Sequence, residues 1–151
     1  MDGRRVCSVA RTLDVIGERW SLLVLREVFL GVRRFESIRE ATGAPRAVLA
    51  GRLRSLVDAG VLVRREYQED GARTRHEYRL TEAGRELQPA LTALMQWGDK
   101  HLPVPGGPPL IVEHSECGGP VRARLVCEHG HLLDDRGREL RARQMESPAR
   151  A

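Results

Sequence analysis

Between Val6 and Leu80 the apolar residues fall into four short helical stripes, each halted at or near a glycine, before the spacing changes to that of strands. Val6, Val9, Leu13 and Ile16 lie on one face of a first helix, which Gly17 closes. From Trp20 to Leu30 apolar residues cover nearly the whole circumference, as suits a helix in the middle of a domain, and Gly31 ends it. Phe35, Ile38 and Ala41 mark a third helix. Thr42 and Gly43 stop it before Pro45 opens a fourth.

In the fourth helix, residues 45 to 59, Leu49, Leu53, Leu56 and Val57 form the inward stripe, and Ala47, Ala50, Gly51 and Arg54 lie opposite. A short helix, a tight turn and a second helix with a small, bare outer face form a helix-turn-helix pattern. Val61 to Tyr67 is β-branched and aromatic in character, Asp70-Gly71 is a hairpin turn, and His76, Tyr78 and Leu80 alternate on a returning strand. Two strands with a basic tip, carrying Arg73 and Arg75, make a wing.

Thr81 is placed to cap a further helix with apolar positions Leu87, Leu91, Leu94 and Trp97, and Pro89 is expected to bend or break it. Four helices and a hairpin already enclose a core, so this stripe needs a cover, and a second copy of the same helix is the economical one. The expected architecture is mainly α with a small β-hairpin wing, a dimeric winged helix-turn-helix with a short Cys/His-containing C-terminal appendage. Its parts are a DNA-binding and dimerisation domain at 1–102, a Pro/Gly linker at 103–109, a small subdomain at 110–140 and a frayed tail at 141–151.

A chain of 151 residues, 41% apolar, can bury one hydrophobic core with a small appendage left over. The formal net charge is +4, and its distribution says more than its sum. Residues 1–80 hold sixteen arginines against eleven carboxylates, while residues 81–151 hold nine cations against ten carboxylates. Phosphate contacts are therefore sought in the first half. No run approaches the roughly eighteen apolar residues of a membrane span, and no signal sequence opens the chain, so a cytoplasmic protein without a membrane partner is expected. In that compartment Cys7, Cys117 and Cys127 point to thiol chemistry or metal rather than a disulfide framework.

Four stretches carry a family resemblance: Cys7 to Glu27 (CSVARTLDVIGERWSLLVLRE), Gly31 to Ile38 (GVRRFESI), Val48 to Leu56 (VLAGRLRSL) and Tyr78 to Gly84 (YRLTEAG). In this order and spacing the chain resembles the HxlR-type branch of the winged helix regulators, within the MarR-like superfamily, over about residues 7 to 101. The resemblance implies a bacterial homodimer whose fourth helix enters the major groove of double-stranded DNA and which represses or activates neighbouring genes. It also implies an oxidant or small-molecule effector, because in several relatives a cysteine at the position of Cys7 senses oxidants or electrophiles. The sequence departs from many relatives at Ser8, where they carry proline, and at Gly51, where a longer polar residue is common.

The candidate DNA contacts are Arg46, Ala47, Val48, Ala50, Gly51 and Arg54 of the fourth helix, with Arg73 and Arg75 of the wing. Arg46 opens its helix, where a guanidinium and free N–H groups can hold a phosphate or reach a guanine. Arg54 suits a phosphate. Val6, Cys7, Leu91, Leu94, Met95 and Trp97 are the candidate dimer contacts, and Cys7, after Arg4 and Arg5 near a helix start, is the candidate sensor; the plain alternative is a small apolar filler. Trp20 and Phe35 have the spacing of core residues. His114, Cys117, Cys127 and His131, or His129 in its place, are candidate ligands for zinc, which would supply stability that thirty residues lack; the alternative is a loose subdomain.

No glycine-framed nucleophile or phosphate loop is present, so no enzyme is expected. The rival reading is a protein-protein adaptor that dimerises through the winged helix and uses the Cys/His tail as its interaction surface. An adaptor has no need of a small outer face flanked by arginine.

Overall fold

The computed structural model describes residues 7–68, 75–134 and 137–143. The elements are α1 (Ser8–Ile16), α2 (Arg19–Phe29), α3 (Phe35–Thr42), α4 (Arg46–Asp58), β1 (Leu62–Tyr67), β2 (Arg75–Leu80), α5 (Glu82–Arg85) and α6 (Gln88–His101). The chain divides into two compact units inside α6, between Leu91 and Thr92.

In the first unit the glycines act as the sequence pattern requires. Gly17 ends α1 with its N–H donating to the Leu13 carbonyl at 2.8 Å, and a Cβ at that position would meet the same oxygen at 2.5 Å. Gly43 ends α3 in the left-handed region at φ 71°, which only glycine adopts without penalty. Pro45 then starts α4, its carbonyl accepting from the N–H of Leu49 at 2.9 Å. The turn between α3 and α4 is thus three residues long, Gly43 to Pro45.

The core gathers where these helices cross. Val24 and Leu25 of α2, Ile38 of α3, Leu49, Leu53 and Leu56 of α4 and Leu62 of β1 are all buried. Helix α2 packs on both α3 and α4, the central place expected from its apolar circumference. Trp20 and Phe35 are partly buried against this core. Of the described residues of the first stripe only Ile16 is buried; Val9 is 66% and Leu13 53% exposed.

β1 and β2 pair antiparallel from Leu62 opposite Leu80 to Tyr67 opposite Arg75. Tyr78 and Leu80 lean on the core, which ties the hairpin to the helices. A third rung comes from the α2–α3 loop, where Arg34 bridges to Glu77 and the Arg33 carbonyl accepts from the Tyr78 N–H at 2.8 Å. The expected Asp70-Gly71 turn lies outside the described residues.

Thr81 caps α5 as expected, its hydroxyl oxygen accepting from the Gly84 N–H at 3.1 Å. The same hydroxyl donates to the Gly60 carbonyl at 2.6 Å, so one side chain joins the end of α4 to the start of α5. Gly84 sits against the Val61 carbonyl so closely that a Cβ there would lie 2.2 Å from it. The helical pattern does break before Pro89: α5 ends at Arg85 and Pro89 occupies the first turn of α6, where its missing N–H costs nothing.

In the second unit, two short turns each close on a single β-bridge, Glu113 to Pro120 and Val126 to Leu132. Gln96 of α6 holds the segment between them. Its side-chain nitrogen donates to the Val121 carbonyl at 2.7 Å and its oxygen accepts from the Ala123 N–H at 3.0 Å.

Candidate nucleic-acid interface

The outer side of α4 is exposed along Ala47, Arg54 and Ser55, with Ala50 and Gly51 half-buried and Val48 at the edge of exposure. A Cβ added to Gly51 would meet nothing within 4 Å. Packing therefore does not require glycine there, and the bareness faces outward. No side chain caps the N-terminus of α4, which leaves its first N–H groups for water or an anion.

Arg46 sits in the first turn, as the sequence places it, but its guanidinium is not free. It donates to Glu36 of α3 and lies 5.2 Å over the ring of Phe35. Glu36 also accepts from Nε of Arg39 at 2.8 Å. The hydrogen bond from Arg39, ahead of the charge of Arg46, holds the Glu36 carboxyl below its ordinary value. The sign follows: this corner contributes in full above the unfolded carboxylate's pKa, and the contribution is lost as pH falls through the depressed one. Nothing in the sequence announces Glu36, because it stands ten residues from its partner on a different helix.

Arg75 is exposed at the start of β2, on the wing, and Arg73 lies outside the described residues. On the same hairpin Arg64 pairs with His76 at 2.8 Å, and Arg34 from the α2–α3 loop covers the ring of Tyr67 at 4.8 Å. These cations add to the positive half of the molecule, and the sequence reading named neither.

The comparisons with known proteins bear on this architecture. A family model described as HxlR-like helix-turn-helix matches residues 15–105. The chain belongs to the HxlR-like helix-turn-helix family. An HTH-type transcriptional regulator of Mycobacterium tuberculosis, itself uncharacterised, is 52% identical over 122 residues, covering 81% of this chain and 76% of the relative. A solved structure named as a transcription factor, PA1607, superposes with a TM-score of 0.76 at 34% identity, over 93% of this chain and 95% of its own. The reduced form of the redox regulator HypR superposes with a TM-score of 0.56 at 30% identity, over 64% of this chain and 94% of its own. This HxlR-like protein is accordingly a winged helix DNA-binding transcriptional regulator and not an enzyme. No helix among the described residues is long and apolar enough to cross a membrane.

Two sequence expectations need correction, those for Leu91 and for the Cys/His ligand set. Leu91, expected on the dimer face, is 9% exposed and belongs to the core of the first unit with Leu87 beside it. The first turn of α6 spends its stripe within the chain, leaving Leu94 and Trp97 outward, with Met95 half-buried. Cys7 stands at the start of α1 as expected, as its N-cap and exposed; Val6 is outside the described residues. The metal site does not assemble. His114 and Cys117 stand 3.3 Å apart, but no three ligand-type side chains converge among the described residues. Cys127 belongs to the other turn, where it bonds His131 through the backbone and the rings of His129 and His131 lie 6.4 Å apart. The donor set does not fit zinc in this arrangement, because tetrahedral coordination needs four donors within about 2.3 Å of the ion.

Proposed function

We propose that the protein is a sequence-specific regulator that binds double-stranded DNA as a homodimer in the cytoplasm, with α4 in the major groove and the β1–β2 wing on the flanking backbone. The observation that carries this reading is the outward face of α4, small at Ala47, Ala50 and Gly51, uncapped at its start and bearing Arg54. A helix meant to pack against protein would fill that face. Arg54 and Arg75 take phosphates, and Val48, Ala50 and Gly51 approach base edges.

The test is anisotropy or gel shift with the duplex upstream of the protein's own gene, titrated with salt. The expected result is a linear fall of log K with log salt, and Arg54→Ala lowers the slope by about 0.9 per protomer. Binding indifferent to salt would overturn the reading.

The homodimer rests on two exposed apolar faces, Val9 and Leu13 on α1 and Leu94 and Trp97 on α6. A second copy is the cover such faces call for. Cys7, exposed beside the α1 face, is proposed as a thiol switch that couples oxidation to DNA binding. Diamide is expected to change DNA affinity in the native chain and not in Cys7→Ser; the same response in both removes the switch.

A further inference from the structure

The corner between α3 and α4 contains a device that the DNA-binding reading does not by itself require. One carboxylate, Glu36, holds two arginines at once: Arg39, three residues along its own helix, and Arg46, the first residue of α4. Arg46 is further fixed by its stack over Phe35, the residue before Glu36. The three-residue turn, with Gly43 in the left-handed region and Pro45 opening α4, keeps the two helices at a set distance. The pair is therefore built into the turn, although both side chains remain in contact with solvent.

A carboxylate presents two anionic oxygens in one plane, and a phosphodiester presents the same pair of acceptors to a guanidinium. Arg46 in the free protein is thus already occupied by the chemistry that DNA would offer it. A backbone phosphate can take over the Arg46 N–H that Glu36 holds by displacing that carboxylate, and the exchange gains little, since one anion replaces another. Arg54 and Arg75 have no comparable carboxylate partner among the described residues, so the difference is specific to Arg46.

We propose that Glu36 is an internal stand-in for a DNA phosphate, a positioning residue on α3 that holds Arg46 of α4 in place and removes it from the set of phosphate contacts. The consequence is a recognition helix whose first arginine adds little to sequence-independent affinity. Its remaining donors stay aimed by the Phe35 stack. Non-specific binding, which depends on the number of neutralised phosphates, is weakened by one contact in every half of the dimer.

This inference rests on the DNA-binding reading above, and the experiment separates the two. The full-length chain, Glu36→Gln, Arg46→Gln and the double variant are titrated with a random-sequence duplex of about thirty base pairs across about 50 to 200 mM salt. For the native chain the expected result is salt-dependent binding. Arg46→Gln alone leaves the slope of log K against log salt unchanged. Glu36→Gln frees Arg46 for a phosphate and steepens the slope by about 0.9 per protomer, and the double variant returns it to the native value.

A slope unchanged in Glu36→Gln, while the native chain binds normally, overturns the inference and leaves the DNA reading intact. A slope already reduced by about 0.9 in Arg46→Gln also overturns it, because Arg46 was then on a phosphate from the start. That second variant keeps the inference open to refutation even if Glu36→Gln folds poorly. A native chain that binds no duplex removes the DNA reading and this inference together.

Discussion

The two units of this chain are held by different forces. Among the described residues of 7–91 a dozen apolar side chains are buried, and the seven largest of them that are fully buried lie on α2, α3, α4 and β1. In the described residues of 92–143 no apolar side chain is buried, and Leu94, Trp97, Ile111, Leu125, Val126 and Leu132 are all more than half exposed. The first unit folds by removing hydrocarbon from water. The second is shaped by turns, two single β-bridges and the amide of Gln96, and its apolar side chains await a surface.

That contrast can be broken by substitution. Leu53→Ala in the first unit is expected to cost about 3 kcal/mol, read as a lower urea midpoint, because it opens a cavity among α2, α4 and β1. Leu125→Ala in the second unit should change the same midpoint by less than about 0.5 kcal/mol. Equal effects would mean that the second unit has a core of its own. Trp97→Asp should weaken self-association by about thirtyfold in sedimentation while leaving the first unit's unfolding in place, since a central aromatic anchor carries about 2 kcal/mol.

Gln96→Ala should speed hydrogen exchange at the Ala123 amide with a loss of about 1 kcal/mol, because the two bonds to the 121–123 backbone are the clamp on that segment. An effect of the opposite sign is expected at Ser21. Its hydroxyl is fully buried in α2 with no hydrogen-bond partner among the described residues. Ser21→Ala should therefore leave thermal stability unchanged or raise it by up to about 1 kcal/mol, whereas a serine engaged in a native hydrogen bond would lose that much.

The fold of the first unit was legible because its signals are local. The four helices ended where glycine ended their stripes, and Thr81 capped the helix it precedes. The face of α4 is carried by residues three and four apart, so its bare outer side is legible in the sequence. The site was legible to the same extent and no further. Arg46 was placed on the right helix, but its occupation by Glu36 depends on how tightly α3 turns into α4.

The same limit explains the misplaced residues. Leu87, Leu91, Leu94 and Trp97 are one unbroken stripe in the sequence, and the periodicity gives no hint that its first half belongs to one unit and its second half to another. His114, Cys117, Cys127 and His131 have ligand-type side chains at suggestive spacing, yet each pair belongs to its own turn. Spacing along the chain reports which residues can share a face; it does not report whether two turns converge.

The small, bare outer face of α4 was thus determined by the sequence alone, together with the short helices, their glycine stops and the hairpin that follows. Each of these follows from interactions among residues within a turn or two of one another. Tertiary structure decided which apolar stripes were covered and which arginine was already paired. It decided too that His114 and Cys117 belong to one turn and Cys127 and His131 to another. Those outcomes depend on the distance between elements far apart in sequence, which packing sets and periodicity does not carry.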